Sequence, residues 1–287
     1  MNKIKIGKAM INFKKIEKED FKQINKYLLL DKTKSCEKTG GAIMMWRDFY
    51  AIEWAIYNET LIIKYNNEET PFYLIPIGKD PVGALKVLGS ATYTSVCKED
   101  FYKFEGDSVE IIPVRENFDY IYDAESMRTF AGKKLHSKRN FLNRFKAAYK
   151  YDFVLDGDKN DLISFFKEID IKQPHPDETG AAELSETIDM IENRELFEVH
   201  TGEIRVDGKI IAATVGAQIH DTLYVHIEKA DKDYSGSYQA IVSEFAKAFP
   251  YALYINREDD LGEEGLRTSK LSYKPLYLLE KHTIIRH

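Results

Sequence analysis

"HIEKADKDYSGSYQAIVSEFA", His226–Ala246, changes its period partway along. Up to Ala230 it continues a run from Thr222 in which side chains alternate with the two-residue period of a strand. In that reading Tyr224, His226 and Glu228 share one face, and Leu223, Val225 and Ile227 the other. From Tyr238 the spacing becomes helical: Tyr238, Ile241, Val242, Phe245 and Phe249 form one stripe over Tyr238–Phe249. An acidic turn with a single glycine, Gly236, joins the two.

Working outward, the same logic predicts a strand at Tyr151–Leu155 and a helix at Asp158–Asp170 with Leu162, Phe165, Phe166 and Ile169 on one face. A second helix is predicted around Leu184–Phe197. Strands Phe197–Val206, Lys209–Ile219 and Thr222–Ala230 follow, separated by DG and HD turns. After the central helix come a strand (Tyr251–Asn256), a short helix (Gly262–Lys270), and a strand pair or bent strand from Pro275.

The first half repeats this order more loosely. Phe21, Ile24 and Leu28 mark a helix, and Glu37–Trp46 a second. Strands follow at Phe49–Tyr57, Thr60–Tyr65 and Pro71–Pro76, then a helix at Pro81–Leu88. A strand at Ala91–Val96, a short helix, and strands at Val109–Val114 and Tyr120–Tyr122 complete it. The expectation is an α/β fold with a mixed sheet, built twice. Its domains would cover residues 1–130 and 131–287 and meet near 124–134.

The 287 residues suit two domains of ordinary size, and 44% hydrophobic content is ample for burial. No apolar run approaches the ~18–20 residues needed to cross a bilayer, and the start, MNKIKIGKAMINFKK, lacks the apolar core of a signal peptide. Cys36 and Cys97 lie far apart without a CxxC, so neither a disulfide framework nor a zinc site is indicated, and the expected location is a reducing cytoplasm. No metal constellation is visible among the seven histidines.

Against a net charge of -6, the window Ser126–Tyr151 contains no acid. It holds Arg128, Lys133, Lys134, Lys138, Arg139, Arg144, Lys146 and Lys150. Read as a helix over 133–150, it packs through Phe141, Leu142, Phe145, Ala148 and Tyr149, and sets Arg139, Asn143, Lys146 and Lys150 on the opposite side. Lys134 and Lys138 then fall on the packing side, where an ammonium needs a partner or a cleft. Two readings stay open: a helix starting near Ser137 with both lysines at the surface, or a track for phosphates.

Three stretches, "DYIYDAESMRTFAGKKLHSKRNFLNRF" (119–145), "HIEKADKDYSGSYQAIVSEFA" (226–246) and "NREDDLGEEGLRTSKLSYKP" (256–275), resemble the C-terminal domain of phosphatidylglycerol lysyltransferases. The element order is similar to a tandem GNAT-like N-acyltransferase fold, as in the Fem-type aminoacyltransferases. The resemblance implies transfer of an aminoacyl group from charged tRNA to an amine or hydroxyl acceptor. Lys134, Lys138, Arg139, Lys146 and Lys150 would then track tRNA phosphates. The multi-helix membrane portion of the lipid-modifying enzymes has no counterpart in the sequence, so the acceptor (small molecule, peptide or lipid) is left open.

Acetyl-CoA-using relatives of the fold carry R/Q-x-x-G-x-G/A at the strand-to-helix turn, whose amides grip pyrophosphate. Here Gly236 fills the first glycine position, Tyr238 stands at the second, and Asp233 replaces the Arg or Gln. Acetyl-CoA is therefore disfavoured, and no other cofactor is indicated. Glu228 is placed to accept a proton from an attacking amine or to anchor an ammonium, with His226 in support; a satisfied core histidine and a Glu228 paired with a lysine are the plainer alternatives. Asp259, Asp260, Glu263 and Glu264 would make an acidic pocket for a cationic amino acid. Arg257, Arg267 and Lys270 would bind an ester or phosphates, with Tyr273 counted among them. The rival functions are an acyl-CoA-dependent N-acetyltransferase and a non-catalytic tRNA- or RNA-binding module.

Overall fold

The computed structural model describes residues 3–6, 9–66, 69–174 and 178–287. Two compact units emerge: residues through Asp119 with 259–262 and 279–287, and residues 120–258 with 263–278. In chain order the elements begin with β1 (Lys3–Ile6), β2 (Ala9–Asn12), β3 (Lys14–Lys15), α1 (Phe21–Leu28) and α2 (Gly40–Trp46). Next come β4 (Glu53–Tyr57), β5 (Thr60–Tyr65), β6 (Phe72–Leu74), β7 (Ile77–Gly78), α3 (Pro81–Leu88), β8 (Ala91–Cys97) and β9 (Val109–Pro113). The chain continues through β10 (Asp119–Asp123), α4 (Ala124–Thr129), α5 (His136–Ala148), β11 (Tyr151–Leu155), α6 (Lys159–Lys172) and α7 (Glu178–Glu192). It closes with β12 (His200–Val206), β13 (Lys209–Ile219), β14 (Thr222–Ala230), α8 (Ser237–Ala248), β15 (Tyr254–Asn256), α9 (Glu264–Ser272), β16 (Tyr277–Leu279) and β17 (Lys281–Arg286).

The first unit's sheet runs β3-β4-β5-β6-β8-β17-β9, with β7 paired to β5. β5 is buried along its whole length, as an inner strand reading TLIIKY should be. β6 and β8 are parallel, bridged by α3. That helix starts where Asp80 caps the Gly83 N–H ahead of Pro81 and stops at Gly89, whose φ of 71° a side chain would resist. The second unit's sheet runs β11-β12-β13-β14-β15-β10-β16, and here β14 and β15 are the parallel pair, bridged by α8. Both units thus read two helices, three antiparallel strands, a helix, and a strand parallel to the third, so the duplicated order is real and both sheets are mixed. Among the described residues, no helix is long and apolar enough to cross a membrane.

The division differs from the expected 130/131 boundary for a reason of strand pairing. β10 pairs with β15, Ile121 opposite Asn256, which carries residues 120–130 into the second unit. β17 pairs with both β8 and β9, which returns the final strand to the first. Smaller differences are local. The strand expected from Phe49 begins at Glu53 because 47–51 form a turn with Ala51 at φ 44°. The helix expected from Glu37 begins at Gly40, where the Thr39 hydroxyl accepts from the Ala42 N–H. The basic helix spans 136–148 rather than 133–150.

Candidate functional site

The parallel pairing of β14 with β15 ends at Tyr224 opposite Asn256, while β14 runs on to Ala230. The pairing stops there, and His226–Glu228 and Arg257–Glu258 follow on the two segments just beyond its end. β14 does not alternate strictly as expected. Val215 of β13 opposes Ile227, but Gly216 opposes Val225, so His226 is an extra, bulged residue. Gly216 faces α8, since a Cβ there would meet the Phe245 ring at 3.1 Å. Thr214, two residues away on the same face, opposes Glu228. Leu223 and Val225 therefore share Glu228's side of the sheet and join the core beneath α8 with Ala230, Ile241 and Phe245, instead of facing away from it.

Arg257 is the hub. Its Nη2 donates to Glu228 Oε1 at 2.7 Å, with both side chains nearly buried. Its guanidinium lies 4.7 Å from the Tyr273 ring centre and 6.0 Å from that of Tyr122. Lys138, from α5, sets its ammonium 4.0 Å from the Tyr273 ring centre. The Gln239 amide donates to the Tyr273 hydroxyl at 2.9 Å, and the Tyr122 hydroxyl donates to the Lys270 carbonyl at 2.8 Å. Burial raises the Glu228 carboxyl above its ordinary range against the pull of Arg257 and Lys270. Burial likewise lifts the Tyr273 phenol to about 12, opposed by Arg257. Lys138 is lowered, first by burial and then by the charges of Arg257 and Lys274. His226 Nδ1 stands 2.8 Å from Glu258 Oε1. Two buried atoms here have no hydrogen-bond partner: Arg257 Nη1 and His226 Nε2.

The expected residues separate accordingly. Glu228, Arg257, Tyr273 and Lys138 come together, and His226 pairs with Glu258, the residue after Arg257; Glu258, Gln239 and Tyr122 are not singled out by sequence. The acidic pocket does not form as expected. Asp260 is fully buried, bound to Arg115 at 2.9 Å and to the Gly262 N–H, while Glu263 and Glu264 are exposed. Asp259 and Arg267 are half-buried, each with partners of its own. Lys270 is half-buried on α9, its ammonium 5.9 Å from the Tyr120 ring centre. Lys134 lies exposed before α5, so of the two lysines expected on the packing side only Lys138 turns inward. Arg139 is not free for a phosphate, because it donates to the carbonyls of Phe130 and Gly132 at 2.8 and 3.1 Å. Arg128 similarly caps α8, donating to the carbonyls of Ala246, Phe249 and Ala252. Arg144 and Lys150 are exposed, and Lys146 lies 3.6 Å from Glu244.

Gly236 is the N-cap of α8 at φ 93°. A Cβ there would stand 2.5 Å from the Phe141 carbonyl oxygen and 2.9 Å from Phe145 Cβ. Glycine is needed because α5 packs directly over this turn. Tyr238 is half-buried as the second residue of the helix, its phenol raised by burial and by Glu228, and Asp233 is paired with Lys172 at 2.5 Å.

The first unit holds a different cluster. Donor atoms of Cys36, Glu37 and Asp119 lie within 4.8 Å of one another. The fully buried Lys281 ammonium lies among them, 2.6 Å from both Glu37 oxygens and from Asp119 Oδ1, and 3.4 Å from Cys36 Sγ. The cation of this cluster is thus a lysine, and its role is to neutralise buried carboxylates.

With the geometry in hand, similarity places the chain. It is 30% identical to a conserved protein of unknown function from Bacteroides thetaiotaomicron, whose crystal structure superposes with a TM-score of 0.89 over 97% of this chain and 100% of that one. The structure of L-PGS from Bacillus licheniformis has the same fold at 15% identity, with a TM-score of 0.64 and 86% of each chain covered. An uncharacterized protein of Mycoplasmoides gallisepticum is 28% identical over 183 residues, 61% of this chain and 58% of that protein's length. The profile of the family described as phosphatidylglycerol lysyltransferase, C-terminal, runs across residues 30–285, through both GNAT-like units and every residue of the site. The chain belongs to the phosphatidylglycerol lysyltransferase C-terminal family.

Proposed function

We propose that this protein transfers an aminoacyl group from a charged tRNA to an amine or hydroxyl acceptor. The observation that carries the reading is Arg257, a buried guanidinium with one nitrogen fixed by Glu228 and another, Nη1, without a partner. A tetrahedral addition to an ester builds negative charge on the carbonyl oxygen. A fixed donor in a desolvated site stabilises that charge without having to reorganise. Glu228 holds the guanidinium in place and offers its second oxygen to the ammonium of the aminoacyl group. The ester arrives already activated, so positioning it beside a deprotonated nucleophile suffices, and no covalent enzyme intermediate is required.

Family membership supports the aminoacyl donor, and α5 supports the tRNA. That helix carries Lys138 into the site and leaves Arg144, Lys146 and Lys150 exposed further along, a layout suited to the phosphates of an acceptor arm. The packing of α5 over the Gly236 turn, with Asp233 nearby, argues against acyl-CoA. The reading calls for no cofactor.

Thermal shift against acetyl-CoA, uncharged tRNA and a panel of aminoacyl-tRNAs tests it, since a ligand that binds only the folded state raises the Tm. A charged tRNA should shift the protein more than its uncharged form. Glu228→Gln, which keeps the shape and removes the charge, should lower transfer by roughly 10²-fold while tRNA affinity stays nearly intact. A shift with acetyl-CoA alone would move the answer to an N-acetyltransferase.

A further inference from the structure

We propose that His226 is the proton-transferring residue of this site, with Glu258 as its positioning residue. The inference rests on the aminoacyl-transfer reading and adds to it the group that moves the proton.

Four buried side-chain polar atoms lack a partner among the described residues: Tyr93 Oη, Glu203 Oε2, His226 Nε2 and Arg257 Nη1. Two of the four, His226 Nε2 and Arg257 Nη1, lie on the two segments that part at the end of the β14–β15 pairing. Their chemistry is complementary. Arg257 Nη1 can only donate. His226 Nδ1 lies 2.8 Å from the Glu258 carboxylate, which accepts the Nδ1 proton and leaves a lone pair on Nε2. A donor for a developing oxyanion and an acceptor for a nucleophile's proton are the two groups an addition to an ester needs.

The backbone is shaped to hold this pair. His226 is the bulged residue of β14, and bulges re-aim side chains next to sites. Glu258 sits at φ 57°, a left-handed conformation rarely adopted by a residue with a long side chain. Its N–H is fixed by Asn256 Oδ1 at 2.7 Å, and Asn256 is itself fully buried. Glu228 is the poorer acceptor, because protonating it would strip the buried Arg257 of its counter-charge. The charged group that faces His226 is Glu258; Arg257, next to it in the chain, is paired with Glu228, and Lys138 and Lys270 stand around that pair.

The step balances. The acceptor's nitrogen or oxygen bonds to the ester carbonyl carbon, and its proton passes to His226 Nε2. The imidazolium, paired with Glu258, then gives that proton to the departing ribose oxygen as the carbon–oxygen bond breaks. Both protein groups return to their starting state.

The test uses the full chain, a panel of aminoacyl-tRNAs that includes lysyl-tRNA, and ethanolamine and glycerol as acceptors. His226→Ala should lower kcat by about 10²–10⁴-fold with KM for the tRNA little changed. Added imidazole should restore part of the rate, which it would not do for a merely structural histidine. Glu258→Gln, at a partly exposed side chain, should lower kcat in the same direction while the melting temperature stays near that of the parent. Nitrogen-15 NMR of the imidazole needs no substrate and should show the Nδ1–H tautomer. An Nε2–H tautomer, or transfer at the parent rate by His226→Ala, would overturn the inference and leave the functional reading standing. A parent protein that moves label from no charged tRNA to either acceptor would refute the functional reading, and this inference with it.

Discussion

Three glycines of the second unit separate backbone strain from packing, and together they test whether α5 is seated on the turn before α8. Gly236 has φ 93° and a Cβ position 2.5 Å from the Phe141 carbonyl oxygen. Gly132 has φ 84° and nothing within 4 Å of its Cβ position. Gly265 lies in the first turn of α9, has no left-handed backbone, and also has open space. Alanine at Gly132 should therefore cost only the left-handed penalty, about 1–2 kcal/mol. Alanine at Gly236 adds overpacking of about 1–3 kcal/mol, for roughly 2–5 kcal/mol together. Alanine at Gly265 should stabilise, by up to about 1 kcal/mol. With a urea slope of about 2 kcal/mol/M, the midpoints should fall by roughly 1–2.5 M for Gly236→Ala and by about 0.5–1 M for Gly132→Ala. Trp46 and Trp54 both lie in the first unit, so their fluorescence reports that unit while far-UV circular dichroism reads both. A Gly236→Ala protein no less stable than Gly132→Ala would refute the close contact of α5 with the turn, and with it the argument that the turn is closed to a pyrophosphate.

Lys281→Met removes the cation shared by Glu37 and Asp119 and should cost about 3–5 kcal/mol, the usual penalty for leaving buried charges unpaired. Although burial opposes it, Lys281 holds the Glu37 carboxyl below its ordinary range. That contribution is full above the ordinary carboxylate pKa and is lost as pH falls through the depressed one, so the gap between parent and Lys281→Met should narrow on acidification. A gap of constant size, followed by tryptophan fluorescence, would contradict the assignment. If Lys146 and Lys150 contact phosphates, replacing both with Ala should flatten the slope of log affinity for tRNA against log salt by about one unit per lost contact. Fluorescence anisotropy at several salt concentrations reads this directly. An unchanged slope would make the stripe an ordinary solvated helix face.

Local chemistry was legible and long-range pairing was not. β13 and β14 match their expected bounds to the residue because turn dipeptides bracket them, with Gly208 at φ 80° and His220 at φ 53°. α3 matches because an aspartate cap and a proline at its first position are a start signal readable in place. The bulge at His226 leaves no trace in an alternating pattern, so strict alternation puts Leu223 and Val225 on the wrong face relative to Glu228. Asp260 stands in a charged run that looks solvated, and its burial is compensated by Arg115, far back in the chain. Glu228 and Arg257 were each singled out, yet their mutual bond depends on two strands meeting in parallel, which neither stretch announces. Glu258 reads in the sequence as one more acid among several.

The exchange of closing strands has a consequence in time. β17 is an inner strand, set between β8 and β9, yet it leaves the ribosome about 170–190 residues after them. At roughly 5–20 residues per second, that is a delay on the order of 10–40 s. Through that interval β8 and β9 hold open the edges that β17 will fill, with their N–H and C=O groups available to any stray strand. Glu37 and Asp119 also wait for Lys281, which arrives with the same strand. The half of the molecule that is made first is therefore the last to be finished.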